Sequence, residues 1–177
     1  MRSFALGSLA AAVVMFVLGF IFFAALGGML YDPLAEETAA AVQAALGNTL
    51  PATGTYMVPA GEEAFMRGPS AIVQYVAAGG VPAFPMELVM GFVHFLLTAL
   101  LIGYALTSVG GDFGRQARVV FWFALAASAF MRLGEPMWLG ASWRPALYVF
   151  VADAVIIIAG GLVLARWFTS RGSPVAA

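Results

Sequence analysis

The sequence predicts an all-α fold, an integral membrane four-helix bundle with a small ordered extracytoplasmic cap. Two observations support this fold class. Four long apolar stretches make up most of the 177 residues, and a bilayer core needs about 20 helical residues to cross it. In addition, 63% of the residues are hydrophobic and only 10% are charged, so a water-soluble fold of this size could not bury its apolar surface.

The predicted helices belong to one membrane domain, residues 1–177, and cover residues 3–30, 86–109, 117–133 and 146–168. The first stretch exceeds the roughly 7–15 apolar residues of a signal-peptide core, so we expect a retained helix. The third stretch is the shortest and needs turns from its flanks to cross a bilayer. Before it, Gly110-Gly111-Asp112 predicts the end of one helix and the N-cap of the next.

The connection at residues 31–85 is too long for a simple loop, so we expect it to form the cap. Asp32 followed by Pro33 is typical of a helix start, and it predicts a short helix over residues 33–46. A short extended segment is predicted at residues 55–58. Residues 71–76 fit either a strand or a helical turn, because so few residues show no decisive periodicity.

The arginines divide unevenly between the two sides of the predicted membrane. Five lie on the side of the termini and three on the other side, and these are Arg2, Arg115, Arg118, Arg166 and Arg171 against Arg67, Arg132 and Arg144. Positive residues favour the cytoplasmic side. The sequence therefore predicts a multi-pass protein of the bacterial inner (cytoplasmic) membrane with both termini inside.

Composition also excludes several classes of function. The net charge is −1 and there is no lysine, so neither nucleic-acid binding nor a polybasic lipid-binding patch is indicated. The absence of cysteine removes disulfides, thiolate metal sites and cysteine nucleophiles. We expect no cofactor, no metal and no nucleic acid. The expected partners are the lipid bilayer and other membrane subunits or further copies of the chain.

Ionisable residues within apolar helices are costly and usually face other helices. In the second helix Glu87, Gly91, His94 and Thr98 form one stripe at helical spacing. The third helix has a comparable stripe of Ala124, Ser128 and Arg132, and the fourth helix carries a lone carboxylate, Asp153. The candidate site residues for ligand binding or proton relay are His94, Asp153, Glu87, Arg132, Glu135, Ser128 and Thr98.

Depth along the helices predicts two pairs among these residues. His94 and Asp153 lie at about 12 Å and 10 Å from the outer ends of their helices, so we expect them to pair. Glu87 and Arg132 both lie near the outer surface and form the second expected pair. Such pairs either hold the helices in register or form a polar pocket that relays a proton or binds a small ligand. Contact of Arg132 and Glu135 with a partner protein is a third alternative.

Other sites have little support in the sequence. His94 is the only histidine, so haem would need a methionine ligand such as Met90, Met131 or Met137. Zinc would have to be held by one histidine and carboxylates, and no nucleophile-elbow sequence accompanies Ser128. Small residues, among them Ala159-Gly160-Gly161, predict close helix approach within the protein or to a partner.

The order of these features resembles that of small four-helix inner-membrane proteins of bacteria. The elements shared are Gly54-Thr55-Tyr56-Met57-Val58-Pro59, then Gly68-Pro69, then Gly79-Gly80-Val81-Pro82 in the outer loop. The resemblance covers most of the chain and implies no activity. It implies an ordered outer loop.

The leading hypothesis is a non-enzymatic accessory subunit or scaffold of an inner-membrane complex, because no complete catalytic set is present. The alternative is a small oligomeric transporter or sensor that uses the intramembrane His, Asp, Glu and Arg residues. A membrane enzyme or haem protein is the third.

Overall fold

The computed structural model describes residues 2–79 and 84–170 and is mostly helical. Its helices and strands follow one another in the order α1 (Arg2–Gly19), a π-helical segment (Phe20–Ala25), a 3₁₀ turn (Gly27–Leu30), α2 (Glu36–Thr49), β1 (Gly54–Val58), α3 (Glu62–Arg67), β2 (Ala71–Tyr75), α4 (Phe84–Val109), α5 (Phe113–Arg132), α6 (Gly134–Leu139) and α7 (Trp143–Ser170).

Four helical segments are long and apolar enough to span a membrane, which suggests a multi-pass membrane protein. Within the described residues they cover Phe4–Ala25, Pro85–Val109, Phe113–Leu139 and Trp143–Phe168. The third begins four residues before the predicted start at residue 117, because Asp112 caps it, and α6 extends it. This addition explains how the shortest predicted helix reaches a spanning length.

The chain forms two compact units. The first contains residues up to Asp32 together with those from Leu88 onwards, and the second contains Pro33–Glu87. In the first unit, α1 and α5 both make their most extensive contacts with α7. The core of the described residues lies along these contacts and includes Ala11, Met15, Val120, Ile156 and Leu164.

Two adjacent glycines of α7 allow α1 and α5 to approach it closely. A Cβ on Gly160 would lie 2.5 Å from Cγ of Met15, and a Cβ on Gly161 would overlap Cγ1 of Val120. Because successive helical residues are turned about 100° apart, the two glycines serve different neighbours. The close approach expected from Ala159-Gly160-Gly161 is therefore observed.

Helix α4 packs aromatic and small residues against α1. The ring of Phe16 meets Phe92 and Phe95 edge-on, with centroids 5.7 and 6.3 Å apart. Farther along α4, a Cβ on Gly103 would lie 3.2 Å from the Phe4 ring. The buried face continues through residues at alternating spacings of three and four, as expected of one helix face, and these are Ala99, Ile102 and Leu106.

The turn from α4 to α5 has the structure predicted from its sequence. Gly110 and Gly111 have φ values of 59° and 83°, a conformation that side-chain-bearing residues rarely adopt. Asp112 then caps α5, and its Oδ1 accepts a hydrogen bond from the backbone N–H of Arg115 at 2.8 Å. The cap satisfies one of the unpaired donors of the first turn.

In the second unit, the predicted short helix exists but begins later than expected. Helix α2 starts at Glu36, with no side-chain cap, so Asp32 is not the N-cap and Pro33 is not in the first turn. The Asp32 carboxylate instead accepts a hydrogen bond from Arg144 at 3.0 Å, so it does not cap the helix. The start still places Glu36 and Glu37 in the first turn, where the helix dipole favours negative charge.

The rest of the second unit is an antiparallel hairpin of β1 and β2, in which Gly54 pairs with Tyr75 and Val58 with Ala71. The extended segment predicted at residues 55–58 is confirmed, and residues 71–75 form a strand rather than a helical turn. Thr53 accepts a hydrogen bond from the backbone N–H of Ala77 beyond the paired residues. Of the expected Gly79–Pro82 element, residues 80–82 lie outside the described residues.

Candidate functional site

The candidate site is a cluster of three charged side chains where α5 meets α6 and α7. Nε of Arg132 donates to Oδ2 of Asp153 at 2.7 Å. Nη1 of the same guanidinium lies 3.6 Å from Oε1 of Glu135, too far for a good hydrogen bond but within ion-pair distance. The side chains of Arg132, Asp153 and Glu135 are 32%, 20% and 47% exposed, so the Arg132–Asp153 pair is the protected part of the cluster.

The stripe of α5 that packs on α7 brings Arg132 to this position. Val120, Ala124 and Ser128 are buried at steps of four, and Arg132 is the next residue in the same row. On α7, Asp153 lies between buried Ala152 and Ala154. The ion pair therefore joins the two helices at the end of their apolar contact.

The cluster carries one positive and two negative groups. Its formal charge is −1 when all three are ionised, and the short Arg132–Asp153 contact offsets part of the cost of desolvating both groups. Among residues 2–79 and 84–170, no group of three or more His, Cys, Asp or Glu is arranged to hold a metal ion. The arrangement is suited to fixing helices or to receiving a cationic group from outside.

The predicted pairing of His94 with Asp153 is wrong. Asp153 is bonded to Arg132. His94 is exposed on α4, and its ring lies edge-on to the adjacent Phe95, with centroids 5.4 Å apart. Matching depths along two helices gave no information on rotation about their axes. The aromatic contacts of Phe92 and Phe95 with α1 set that rotation and direct His94 outward.

The other expected partners also need correction. Arg132 was predicted to pair with Glu87, whereas its ion pairs among the described residues are with Asp153 and Glu135. The Thr98 hydroxyl donates to the His94 carbonyl at 3.0 Å within α4, so it is committed to its own helix. Ser128 is buried, and its Oγ has no hydrogen-bond partner within the described part of the chain.

Three hydrogen bonds from two side chains of α7 were not predicted from the sequence, and they join α7 to the first apolar span or to the residues just after it. Arg144 donates to the Asp32 carboxylate and, at 3.2 Å, to the Met29 carbonyl. The Tyr148 hydroxyl donates at 2.8 Å to the Phe22 carbonyl in the π-helical segment. Each contact spans more than 100 residues, and no local pattern indicates it.

Comparison of the chain with protein-family models, with curated proteins and with solved structures gives no match in any of the three, so the resemblance to small inner-membrane proteins stays a prediction and the residues alone carry the functional argument.

Proposed function

We propose that the protein is a four-helix, multi-pass protein of the bacterial cytoplasmic membrane that acts through contacts, as an accessory or scaffold subunit of a membrane complex. The four apolar helices support the membrane location. The charged cluster supports a structural role, because its shortest contact joins two helices of the same chain.

The observation that carries the proposal is the position of His94. It lies nine residues after Pro85 in a span that ends at Val109, about 13 Å from one end and about 22 Å from the other. The His94 side chain is exposed at this depth, and its imidazole has no hydrogen-bond partner among the described residues. Only its backbone carbonyl accepts a side-chain hydrogen bond, from Thr98. A polar side chain facing hydrocarbon is costly, so a partner helix that accepts or donates a hydrogen bond is the favoured neighbour.

The surface around His94 has the form of a helix-packing face. Its exposed residues recur at spacings of three and four, and they are Met90, Val93, Leu97, Leu101 and Tyr104. His94 is four residues from Met90 and three from Leu97, so it lies within this row. This spacing places the row on one face of α4, along which a second helix has room to pack. We call this row with His94 the His94 face.

A photo-crosslinking experiment tests this proposal. A photoreactive amino acid at Leu97, on the His94 face, is expected to give a discrete protein adduct in membranes, and one at the more exposed Phe130 of α5 is not. In the Leu97 background, His94→Leu is expected to reduce the adduct, since membrane hydrogen bonds contribute about 0.6 kcal/mol on average and up to about 1.7. Adduct mass distinguishes a second copy from another subunit. Equal labelling at both positions, or lipid adducts alone, would contradict the proposal.

The transporter or sensor alternative has less support. It required His94, Asp153, Glu87 and Arg132 to act together, and in the structure Asp153 is bonded to Arg132 while His94 is exposed on α4. What remains for it is the partly exposed cluster of Arg132, Asp153 and Glu135.

The topology included in the proposal has its own test. A cysteine at Thr53 is expected to react with a membrane-impermeant thiol reagent on intact cells, and a cysteine at Ser173 is expected to react only after lysis. The reason is the five-to-three arginine split. The chain has no native cysteine, so the background is clean. Labelling at Ser173 but not at Thr53 would contradict the proposed topology.

A further inference from the structure

An apolar groove of about 300 Å³ lies between α4 and α5, with α7 contributing to its floor. Its floor consists of buried side chains and its edges of exposed ones, so it opens sideways at the helix surface. The residues that line it are Thr98, Leu101, Ile102, Ala105, Leu106, Val119, Val120, Phe123 and Ile157.

The lining offers no polar group to a ligand. Thr98 is its one polar side chain, and its hydroxyl is already bonded to the His94 carbonyl. The volume is roughly twice the ~150 Å³ of an apolar cavity that stays dry and binds benzene. The groove is therefore suited to a hydrocarbon segment, and its open side would face lipid chains in a membrane.

One end of the groove has a fixed positive charge. Arg115, Val119 and Phe123 lie at steps of four on α5, so Arg115 continues the row that lines the groove. The stem of Arg115 packs on Gly111, where an added Cβ would lie 2.8 Å from Arg115 Cδ. Its side chain thus lies over the α4–α5 turn, at the end of the groove.

The positive charge at this end is in excess. Arg115 is exposed, and so is Arg118, three residues further along α5. Neither forms an ion pair within residues 2–79 and 84–170; the nearby Asp112 carboxylate accepts from the Arg115 backbone, not from its guanidinium. The Asp112 carboxylate is used as the helix cap, so neither guanidinium is neutralised by an ion pair among the described residues.

We propose that this groove binds an anionic phospholipid, with an acyl chain along the apolar lining and the phosphate held by Arg115 and assisted by Arg118. Guanidinium groups bind phosphate oxygens in bidentate fashion, and a hydrocarbon chain matches the lining. The inference rests on the membrane insertion proposed above. A soluble phosphate would use the arginines but not the groove, and a zwitterionic lipid would use the groove but gain less from the excess charge.

Lipid competition measured by native mass spectrometry tests this site. Protein purified in mild detergent is offered equal amounts of phosphatidylglycerol and phosphatidylcholine. The expected result is one phosphatidylglycerol retained in preference. In Arg115→Gln/Arg118→Gln the preference is expected to fall at least tenfold, since each basic residue near an anionic lipid contributes roughly fivefold. Arg67→Gln, which removes an exposed charge from the second unit, is the control and should keep the preference.

A second variant distinguishes the contribution of the groove to lipid binding from that of the positive charge. Ala105→Phe fills the groove and is expected to reduce retention of both lipids, whereas competition by soluble glycerol phosphate at the arginines would be unaffected. If Ala105→Phe does not remain monodisperse, the arginine pair decides the outcome. Equal retention of the two lipids by the unaltered protein, or an unchanged preference in the arginine pair, overturns the proposal. Absence of the protein from membranes would instead overturn the proposed function.

Discussion

Replacing Asp153 by leucine is expected to lower the stability of the protein by about 1–3 kcal/mol. The change leaves the Arg132 guanidinium without its 2.7 Å partner at a site where both side chains are largely covered. Breaking a buried pair costs about 3–5 kcal/mol and an exposed pair under about 1, and the partial exposure places this pair between these limits. Thermal unfolding followed by circular dichroism in one detergent measures the effect.

The double replacement Arg132→Leu/Asp153→Leu provides the decisive comparison. Removing both charges leaves only Glu135 without its partner, and Glu135 is 47% exposed, so we expect the double variant to recover most of the lost stability. Glu135→Gln is the matched control, and it should change stability by less than about 1 kcal/mol, since Glu135 is 47% exposed and 3.6 Å from Nη1. A double variant as unstable as Asp153→Leu alone would show that the pair is not the source of the effect.

Gly161→Ala is expected to destabilise the contact between α5 and α7 by about 1–3 kcal/mol, the usual cost of overpacking a core. The added methyl would overlap Cγ1 of Val120, which is buried, so Val120 or the helix backbone must shift to admit it. Gly91→Ala is the control, because its Cβ would meet only Phe16 at an ordinary 3.7 Å. A helical glycine replaced in this way is expected to gain about 0.5–1 kcal/mol.

Val120→Ala tests the origin of this effect. It removes the two methyl groups that the new Cβ would meet, so Gly161→Ala should cost little when it is added to Val120→Ala. The same detergent melting experiment, on the two single variants and the double variant, gives the coupling. Additive effects of the two substitutions would mean that α5 and α7 do not meet through these residues.

Capping residues illustrate what a sequence predicts well and what it does not. Asp112 caps α5 as predicted, because its partner, the Arg115 backbone, is three residues away. Asp32 follows a similar local pattern, yet its carboxylate is taken by Arg144, 112 residues further along the chain. Local patterns decide the outcome only where no distant group competes for the same side chain.

In the candidate site, too, local spacing was predicted correctly and contacts between distant residues were not. Spacing along α5 correctly predicted that Ser128 and Arg132 share one helix face with buried Ala124. Spacing along α4 could not give the rotation of that helix, which its aromatic contacts with Phe16 determine. The depth of a Cα also does not indicate how far a long side chain reaches. Arg132 was predicted to lie near the outer surface, and its guanidinium nevertheless bonds to Asp153.

The position of α7 has a consequence for the order of synthesis. It is made after α1, α4 and α5, yet α1 and α5 both depend on it for their main contacts. About 145 residues separate the end of the first apolar helix from the end of α7, or roughly 7–30 s of translation at 5–20 residues per second. During this interval the earlier helices lack the surface formed around Gly160 and Gly161, so a nascent chain that stops before α7 exposes two incomplete interfaces to quality control.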